Sequence, residues 1–112
     1  MTKNKGGTVM VKLYNDGRRI TAALCGDIDH HTARNMRAQL DEVIAHSRPE
    51  MLILDLGQVG FMDSSGIGLI LGRLRSVQAV GGDIIIKNVR PDIAAVIRLS
   101  GLAGLLAEGV KV

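Results

Sequence analysis

Four consecutive residues, Asp63-Ser64-Ser65-Gly66, stand at a predicted junction between a strand and a helix. One Asp or Ser there suffices as an N-cap, worth about 1 kcal/mol, and spacing alone favours that ordinary role. The block, however, offers three such polar residues. A serine hydroxyl here would be exposed near free backbone N–H groups, and a phosphate on it would add about −2 charge. The positive end of the helix dipole would tolerate that charge. A partner docked over the junction would not necessarily tolerate it, so the phosphate could act as a binding switch.

The three histidines indicate neither a metal site nor a clear catalytic triad. His30 and His31 are adjacent, so both can hardly bind one ion, and His46 is distant in sequence. Neither a Cys-x-x-Cys nor a His-x-x-x-His spacing occurs. Hydrolysis by Ser64 would need a base within hydrogen-bond reach, and whether His30 meets it stays open. Without a Gly-x-Ser-x-Gly elbow around the serine, we expect no enzyme, no catalytic residue and no metal.

Glycines give the second predicted helix a superficial likeness to a nucleotide-binding loop. A Gly-x-Gly-x-x-Gly fingerprint that begins at Gly66 and Gly68 would need a third glycine where Leu71 stands. The phosphate-binding Gly-x-x-x-x-Gly-Lys-Ser/Thr motif is absent as well. Each glycine inside a helix costs about 1 kcal/mol relative to alanine. We therefore expect no bound cofactor, and we interpret these glycines and Gly72 as sites of close packing on the sheet or a neighbouring element. A face of glycines would also allow a partner to approach the helix closely.

Composition restricts the classes of partner. The 112 residues fit one domain. The net charge of +3 comes from 14 basic and 11 acidic residues, and the basic excess lies in the first part of the chain. That distribution indicates a solvated tail rather than a nucleic-acid-binding stripe. The aromatic residues are Tyr14 and Phe61 with no tryptophan, which removes the stacking platforms of single-strand binders. We expect no direct contact with nucleic acid.

The hydropathy of the chain predicts a cytoplasmic protein that does not enter a membrane. The start MTKNKGGTVM carries lysines but lacks the apolar stretch of a signal peptide. No apolar run approaches the roughly 18 residues of a transmembrane helix.

Cys25 is the single cysteine, which excludes an internal disulfide, and we expect it to be a buried, inert thiol. Residues 1–7 are expected to form a flexible tail ahead of one domain at 8–112.

Turn signals and hydrophobic periodicity predict the strands and helices that carry these residues. Asn15-Asp16-Gly17 is typical of a hairpin turn, and Asp29 or Thr32 can cap the first helix. Strands are expected at Thr8–Tyr14, Arg18–Cys25, Met51–Leu56 and Asp83–Lys87, and helices at about 29–47, 63–80 and 92–99. An apolar piece at Leu102–Leu106 and a short end at Gly109–Val112 follow.

The order of these elements predicts an α/β fold with one small mixed sheet, an antiparallel edge hairpin and three to four helices. The first strand should bury Val9, Val11 and Leu13 on one side. The third helix should turn Ile93, Val96 and Ile97 inward. The apolar stripe of the second helix is expected to consist of Ile67, Ile70, Leu71, Leu74 and Val77.

Two longer segments resemble the anti-sigma factor antagonists of the STAS superfamily, above all those that act in sporulation. These segments are Gly26–Ala33 and Phe61–Arg73, with further agreement at Gly81–Asp83 and Leu99–Leu102. The resemblance covers about residues 8–106, and the Asp-Ser-Ser-Gly block with its flanks is the specific part. It implies a STAS-like single domain, in agreement with the order of elements.

The resemblance also implies a function. Such proteins bind an anti-sigma factor that is a serine kinase, which frees a sigma factor to engage RNA polymerase. The kinase uses ATP to phosphorylate the first serine of the block, here Ser64, and the phosphorylated form is released until a PP2C-type phosphatase restores it. On this basis we assign phosphorylation to Ser64 and partner binding to five residues: Asp29, Asp63, Ser64, Ser65 and Gly66.

The end of the chain departs from the family pattern. The family continues past Ser100-Gly101-Leu102 into a last strand and a C-terminal helix, and here that helix is expected to be missing. Its absence would leave an apolar patch or an open edge that invites self-association. A scaffolding STAS domain without a kinase cycle is therefore the alternative function, and a small hydrolase that uses Ser64 is a more remote one.

Overall fold

A four-stranded mixed sheet organises the fold in the computed structural model, which describes residues 10–107. The elements follow one another as β1 (Val11–Asp16), β2 (Arg19–Cys25), α1 (His30–Ser47), β3 (Met51–Gln58), α2 (Ser64–Ala79), β4 (Asp83–Lys87) and α3 (Pro91–Leu99). The strands lie in the order β1-β2-β3-β4; β1 and β2 are antiparallel, and β2, β3 and β4 are parallel. The predicted α/β class, mixed sheet and edge hairpin are confirmed.

The hairpin turn lies slightly further along the chain than the sequence suggests. Asn15 and Asp16 belong to β1, and Asp16 pairs with Arg19 across the turn. The two central residues are therefore Gly17 and Arg18, and Gly17 adopts a left-handed φ of 68°. A glycine at the first central position fits a two-residue hairpin loop whose twist matches the strands. The Asp-Gly pair predicted that a turn exists here, but not which two residues lie at its centre.

Aliphatic side chains fill the space between the sheet and the helices. One sheet face contributes Ile20 and Ala22 from β2 and Leu52 and Leu54 from β3, all nearly inaccessible. Helix α1 adds Ala33, Met36, Leu40 and Ile44. The aliphatic core expected from the scarcity of aromatic residues is confirmed.

Two residues expected in this core are instead exposed. Leu13 is 46% exposed, because β1 is an edge strand and only its first residue, Val11, is buried. Val96 is 37% exposed, because the buried stripe of α3 is formed by Ile93, Ala94 and Ile97 and leaves Val96 at its margin. Periodicity predicted the elements here but misplaced the limit of the buried surface.

A short 3-10 turn at Ala103–Leu105 follows α3, after which Leu106 forms an isolated parallel bridge with Ile86 of β4. The predicted apolar piece thus returns to the open side of β4. The expected tail at 1–7, the first residues of the predicted first strand and the end at 109–112 lie outside the described residues. Within 10–107, no helix combines the length and apolarity that crossing a bilayer requires.

Candidate functional site

Two loops at one edge of the sheet bring the predicted site residues together. The loop after β2 leads into α1, and the loop after β3 leads into α2; β2 and β3 are parallel neighbours, so both helices begin at the same edge. The Ile28 N–H donates to the Phe61 carbonyl at 2.9 Å, and the Asp63 N–H donates to the Ile28 carbonyl at 3.1 Å. These bonds extend the strand pairing into the loops and place Asp29 beside the Asp63-Ser64 junction.

Asp29 is the N-cap of α1, which decides between the two residues proposed from the sequence. Its carboxylate accepts hydrogen bonds from the His31 N–H at 2.9 Å and the Thr32 N–H at 3.0 Å. The Thr32 hydroxyl accepts the Asp29 N–H at 2.9 Å in return, which completes a capping box. Chiefly because the Thr32 N–H donates to the ionised form, and also through His31, the pKa of Asp29 is lowered from its ordinary 3.8.

The lowered pKa predicts an acid-dependent contribution to stability. A carboxylate with a lower pKa in the folded state stabilises the fold above its unfolded pKa, and the contribution is lost as pH falls through the folded pKa. We therefore expect Asp29→Asn, which keeps an acceptor but cannot ionise, to be less stable than wild type at pH 7. Below the ordinary value of 3.8 the difference should shrink. Urea titrations at both pH values measure it; a pH-independent difference would contradict the assignment.

Asp63 and Ser64 share the start of α2 but have different roles. Asp63 is the N-cap, and its carboxylate accepts the Ser65 N–H at 2.8 Å. Ser64 is the first helical residue and is exposed. Among residues 10–107 its hydroxyl forms no hydrogen bond with His30, His31 or any other group. Because the cap is already made by Asp63, the serine hydroxyl is available for modification without disturbing the helix start.

Gly66 permits the two loops to approach each other. It is buried in the first turn of α2, where an added Cβ would overlap the Met62 side chain and lie 3.3 Å from Cγ2 of Ile28. Ile28 and Met62 are themselves buried and form a parallel bridge. The close packing predicted for the glycines is confirmed at this position. This packing of Gly66 against Met62 and Ile28 holds the start of α2, where Ser64 lies.

An exposed aromatic side chain lies next to these packed residues in the chain. Phe61 immediately precedes the buried Met62 and is 52% exposed, although its backbone is held by Ile28. Exposed aromatic residues in a rigid frame are frequent anchors of protein–protein interfaces. Sequence reasoning did not single out Phe61 for this surface, because exposure cannot be read from an isolated phenylalanine in a loop.

The space between α1 and α2 forms an open groove of about 430 Å³ that begins at the serine block. We call it the α1–α2 groove and define it by nine lining residues: His30, Ala33, Arg34, Arg37, Ser65, Gly68, Leu69, Gly72 and Arg73. Added Cβ atoms at Gly68 and Gly72 would meet nothing within 4 Å. The prediction that these two glycines serve close packing is therefore wrong: they leave the groove open.

Arg73 is a buried charge that the sequence analysis missed. It is 7% exposed, and its Nε lies 2.8 Å from Oδ1 of Asp41, so each is the other's partner. Burial lowers the pKa of Arg73, the Asp41 carboxylate opposes that effect, and repulsion by Arg37 adds to it. The available signal was an arginine four residues before Val77 on the buried side of α2. Its guanidinium lines the α1–α2 groove, and the Asp41 carboxylate compensates its charge.

The remaining candidates for chemistry do not converge on this site. Over residues 10–107, no group of three His, Cys, Asp or Glu side chains gathers as metal ligands. Cys25, expected to be buried, is only partly buried, and its Sγ lies 3.7 Å from the Ala23 carbonyl oxygen. The arrangement offers an exposed serine, two capping carboxylates and a cationic groove, which suit recognition by a partner protein.

Comparisons with known proteins show the family of the chain. Residues 10–111 match the STAS domain family. The chain is 40% identical over 79 residues to the anti-sigma F factor antagonist of Paenibacillus polymyxa, which covers 70% of this chain and 68% of the relative. The unphosphorylated anti-sigma factor antagonist SpoIIAA superposes with a TM-score of 0.79 at 32% identity, over 89% of this chain and 88% of SpoIIAA.

A second structure has the same fold in a modified state. The Bacillus cell fate determinant SpoIIAA in its phosphorylated form superposes with a TM-score of 0.72 at 32% identity, over 89% of this chain and 91% of that one. The family match spans most of the chain, and the four-stranded mixed sheet with its antiparallel hairpin is consistent with it. The chain belongs to the STAS domain family.

Proposed function

We propose that this protein is an anti-sigma factor antagonist that binds an anti-sigma serine kinase and thereby releases a sigma factor. The observation that carries the proposal is the exposed Ser64 hydroxyl at the first turn of α2, next to the Asp63 cap and the paired Asp29 loop. A rigid, exposed serine between carboxylates is suited to a kinase that reads the surface around it. The related proteins named anti-sigma F factor antagonists support the assignment.

Phosphorylation of Ser64 turns the binding off in this proposal. The phosphate adds about −2 charge and lies at the positive end of α2, so the fold itself tolerates it. A docked partner would have to bury that charge beside the Asp63 and Asp29 carboxylates, and a like charge at an interface costs several kcal/mol. A PP2C-type phosphatase resets the protein by hydrolysis of the phosphoserine. The phosphorylated form of the related SpoIIAA supports this cycle.

Five residues make up the proposed partner site: Asp29, Asp63, Ser64 and Ser65 lie at the surface, and Gly66 is buried and supports it from within. Asp29 and Asp63 cap the two helices and hold the loops, Ser65 donates its N–H to Asp63, and Gly66 packs against Met62. The chain itself carries out no chemistry in this proposal. The kinase supplies ATP and the catalytic groups, and this protein supplies the acceptor hydroxyl.

Displacement of a sigma factor tests the proposed function. A complex of the anti-sigma kinase with a labelled sigma factor is titrated with the unphosphorylated protein, and fluorescence anisotropy follows the free sigma factor. Release at stoichiometric concentrations is expected. No release, and no direct binding to the kinase by calorimetry, would overturn the proposal. In that case a stable large oligomer by light scattering would favour the scaffolding alternative.

A further inference from the structure

We propose that the α1–α2 groove binds an acidic segment of the anti-sigma factor, so that recognition extends from Ser64 along α2 to Arg73. This inference rests on the proposed function and adds the chemistry of the partner to it. The groove begins at Ser65, the neighbour of the phosphorylated residue, and ends at a buried arginine.

Charge selects the chemistry of the occupant. The groove is lined by three guanidinium groups, from Arg34, Arg37 and Arg73, and its described lining residues include no carboxylate. Asp41 neutralises only Arg73, which leaves a positive excess from Arg34 and Arg37. Burial is the main cause that lowers the pKa of Arg73, and repulsion between the Arg37 and Arg73 guanidinium groups adds to it. A carboxylate placed between them would relieve this repulsion and bind guanidinium groups in their preferred planar geometry.

Size and shape favour a peptide segment over a small free anion. Ser65 and Arg73 lie eight positions apart on α2, or about 12 Å along the helix axis. An extended chain covers that distance in about four residues. The apolar surfaces of Ala33 and Leu69 lie between the polar ends of the groove, and Gly68 leaves room for a backbone to pass. A volume of about 430 Å³ fits such a segment.

The groove also extends the reach of the phosphorylation switch. An acidic segment bound along α2 ends beside Ser65, so a phosphate on Ser64 would repel its carboxylates. The same phosphate would also weaken the contact between the partner and the two loops. The arginines attract the segment, and the phosphate opposes it at one end. Binding of the unphosphorylated protein should therefore weaken with salt more steeply than an apolar contact would.

Groove variants test the inference against purified anti-sigma kinase, with affinities measured at about 50 and about 300 mM NaCl. The double variant Arg34→Ala/Arg37→Ala should lose about 10-fold in affinity at low salt and lose part of the salt dependence. Both side chains are exposed, so the fold should persist. The matched control is Arg75→Ala/Arg98→Ala, which removes the same charge from exposed positions outside the groove and should change affinity less than about 2-fold.

A second pair of variants fills the groove from within. Gly72→Glu places a carboxylate among the arginines, and Gly72→Gln is its uncharged match; both also replace a helical glycine, which should raise Tm by about 4 °C. The Glu variant should bind at least about 3-fold more weakly than the Gln variant.

The outcomes separate this inference from the proposed function. If wild type binds the kinase while the arginine double variant and Gly72→Glu bind equally well, the groove is not the docking site, and the proposed function stands. If wild type itself does not bind the kinase, both fail. Weakened binding by the groove variants alone, with an unchanged control, supports the inference.

Discussion

Ser64→Asp should bind the anti-sigma kinase about 100-fold more weakly than wild type, a loss of about 3 kcal/mol. Its carboxylate would stand beside the Asp63 cap at the centre of the proposed surface, and a charge buried there without a partner is costly. Ser64→Ala should bind as tightly as wild type but should not be released by ATP. Because Asp63 rather than Ser64 makes the cap, both variants should unfold at nearly the wild-type temperature.

Ser64→Asn is the control for this result, since it has the shape of the aspartate without its charge. Calorimetry of the three variants against one kinase preparation separates charge from bulk. We expect the Asn variant to bind within about 10-fold of wild type, far more tightly than the Asp variant. Equal binding by the Asp and Asn variants would show that the position is sensitive to size alone, and the electrostatic explanation of the switch would be wrong.

Gly66→Ala should destabilise the fold by about 1–3 kcal/mol, because the added methyl group overlaps buried Met62 and forces it to move. The movement reaches Ile28 and the pairing of the two loops, so binding to the kinase should weaken as well. For stability, Gly68→Ala is the matched control on the same helix. Its Cβ meets nothing within 4 Å, so it should stabilise by up to about 1 kcal/mol through helix propensity.

Met62→Ala identifies the physical cause of the Gly66 effect. The methionine truncation should cost less in the Gly66→Ala background than in wild type, with a coupling energy of about 1 kcal/mol or more. Urea unfolding of the four proteins in this double-mutant cycle gives the coupling. Strict additivity would mean that Gly66→Ala acts through something other than contact with Met62.

Local signals sufficed for most of the framework. Capping residues precede both apolar helices, so the two helix starts could be predicted from nearest neighbours, whereas the choice of Asp29 over Thr32 and of Asp63 over Ser64 came from the structure. The alternation of strands and helices predicted a mixed sheet with a hairpin at its edge. These features depend on short-range chemistry, which the order of residues records directly.

Features that depend on contacts distant in sequence could not be predicted in the same way. Whether Leu13 is buried depends on how far the helices extend over an edge strand. Gly66 and Gly68 look alike in sequence, but only the first faces Met62. Arg73 is buried because Asp41 of another helix compensates its charge. The resemblance identified the residues of the site. That they lie side by side became clear only from the backbone hydrogen bonds between the two loops.

Intact-mass analysis with phosphosite mapping, after incubation with the anti-sigma kinase and ATP, shows whether Ser64 is the switch. A single added phosphate is expected, located on Ser64 and absent from Ser64→Ala, with loss of kinase binding in the modified fraction. No added phosphate from a kinase that is active on another substrate, or a phosphate at a different residue, would contradict the proposed switch.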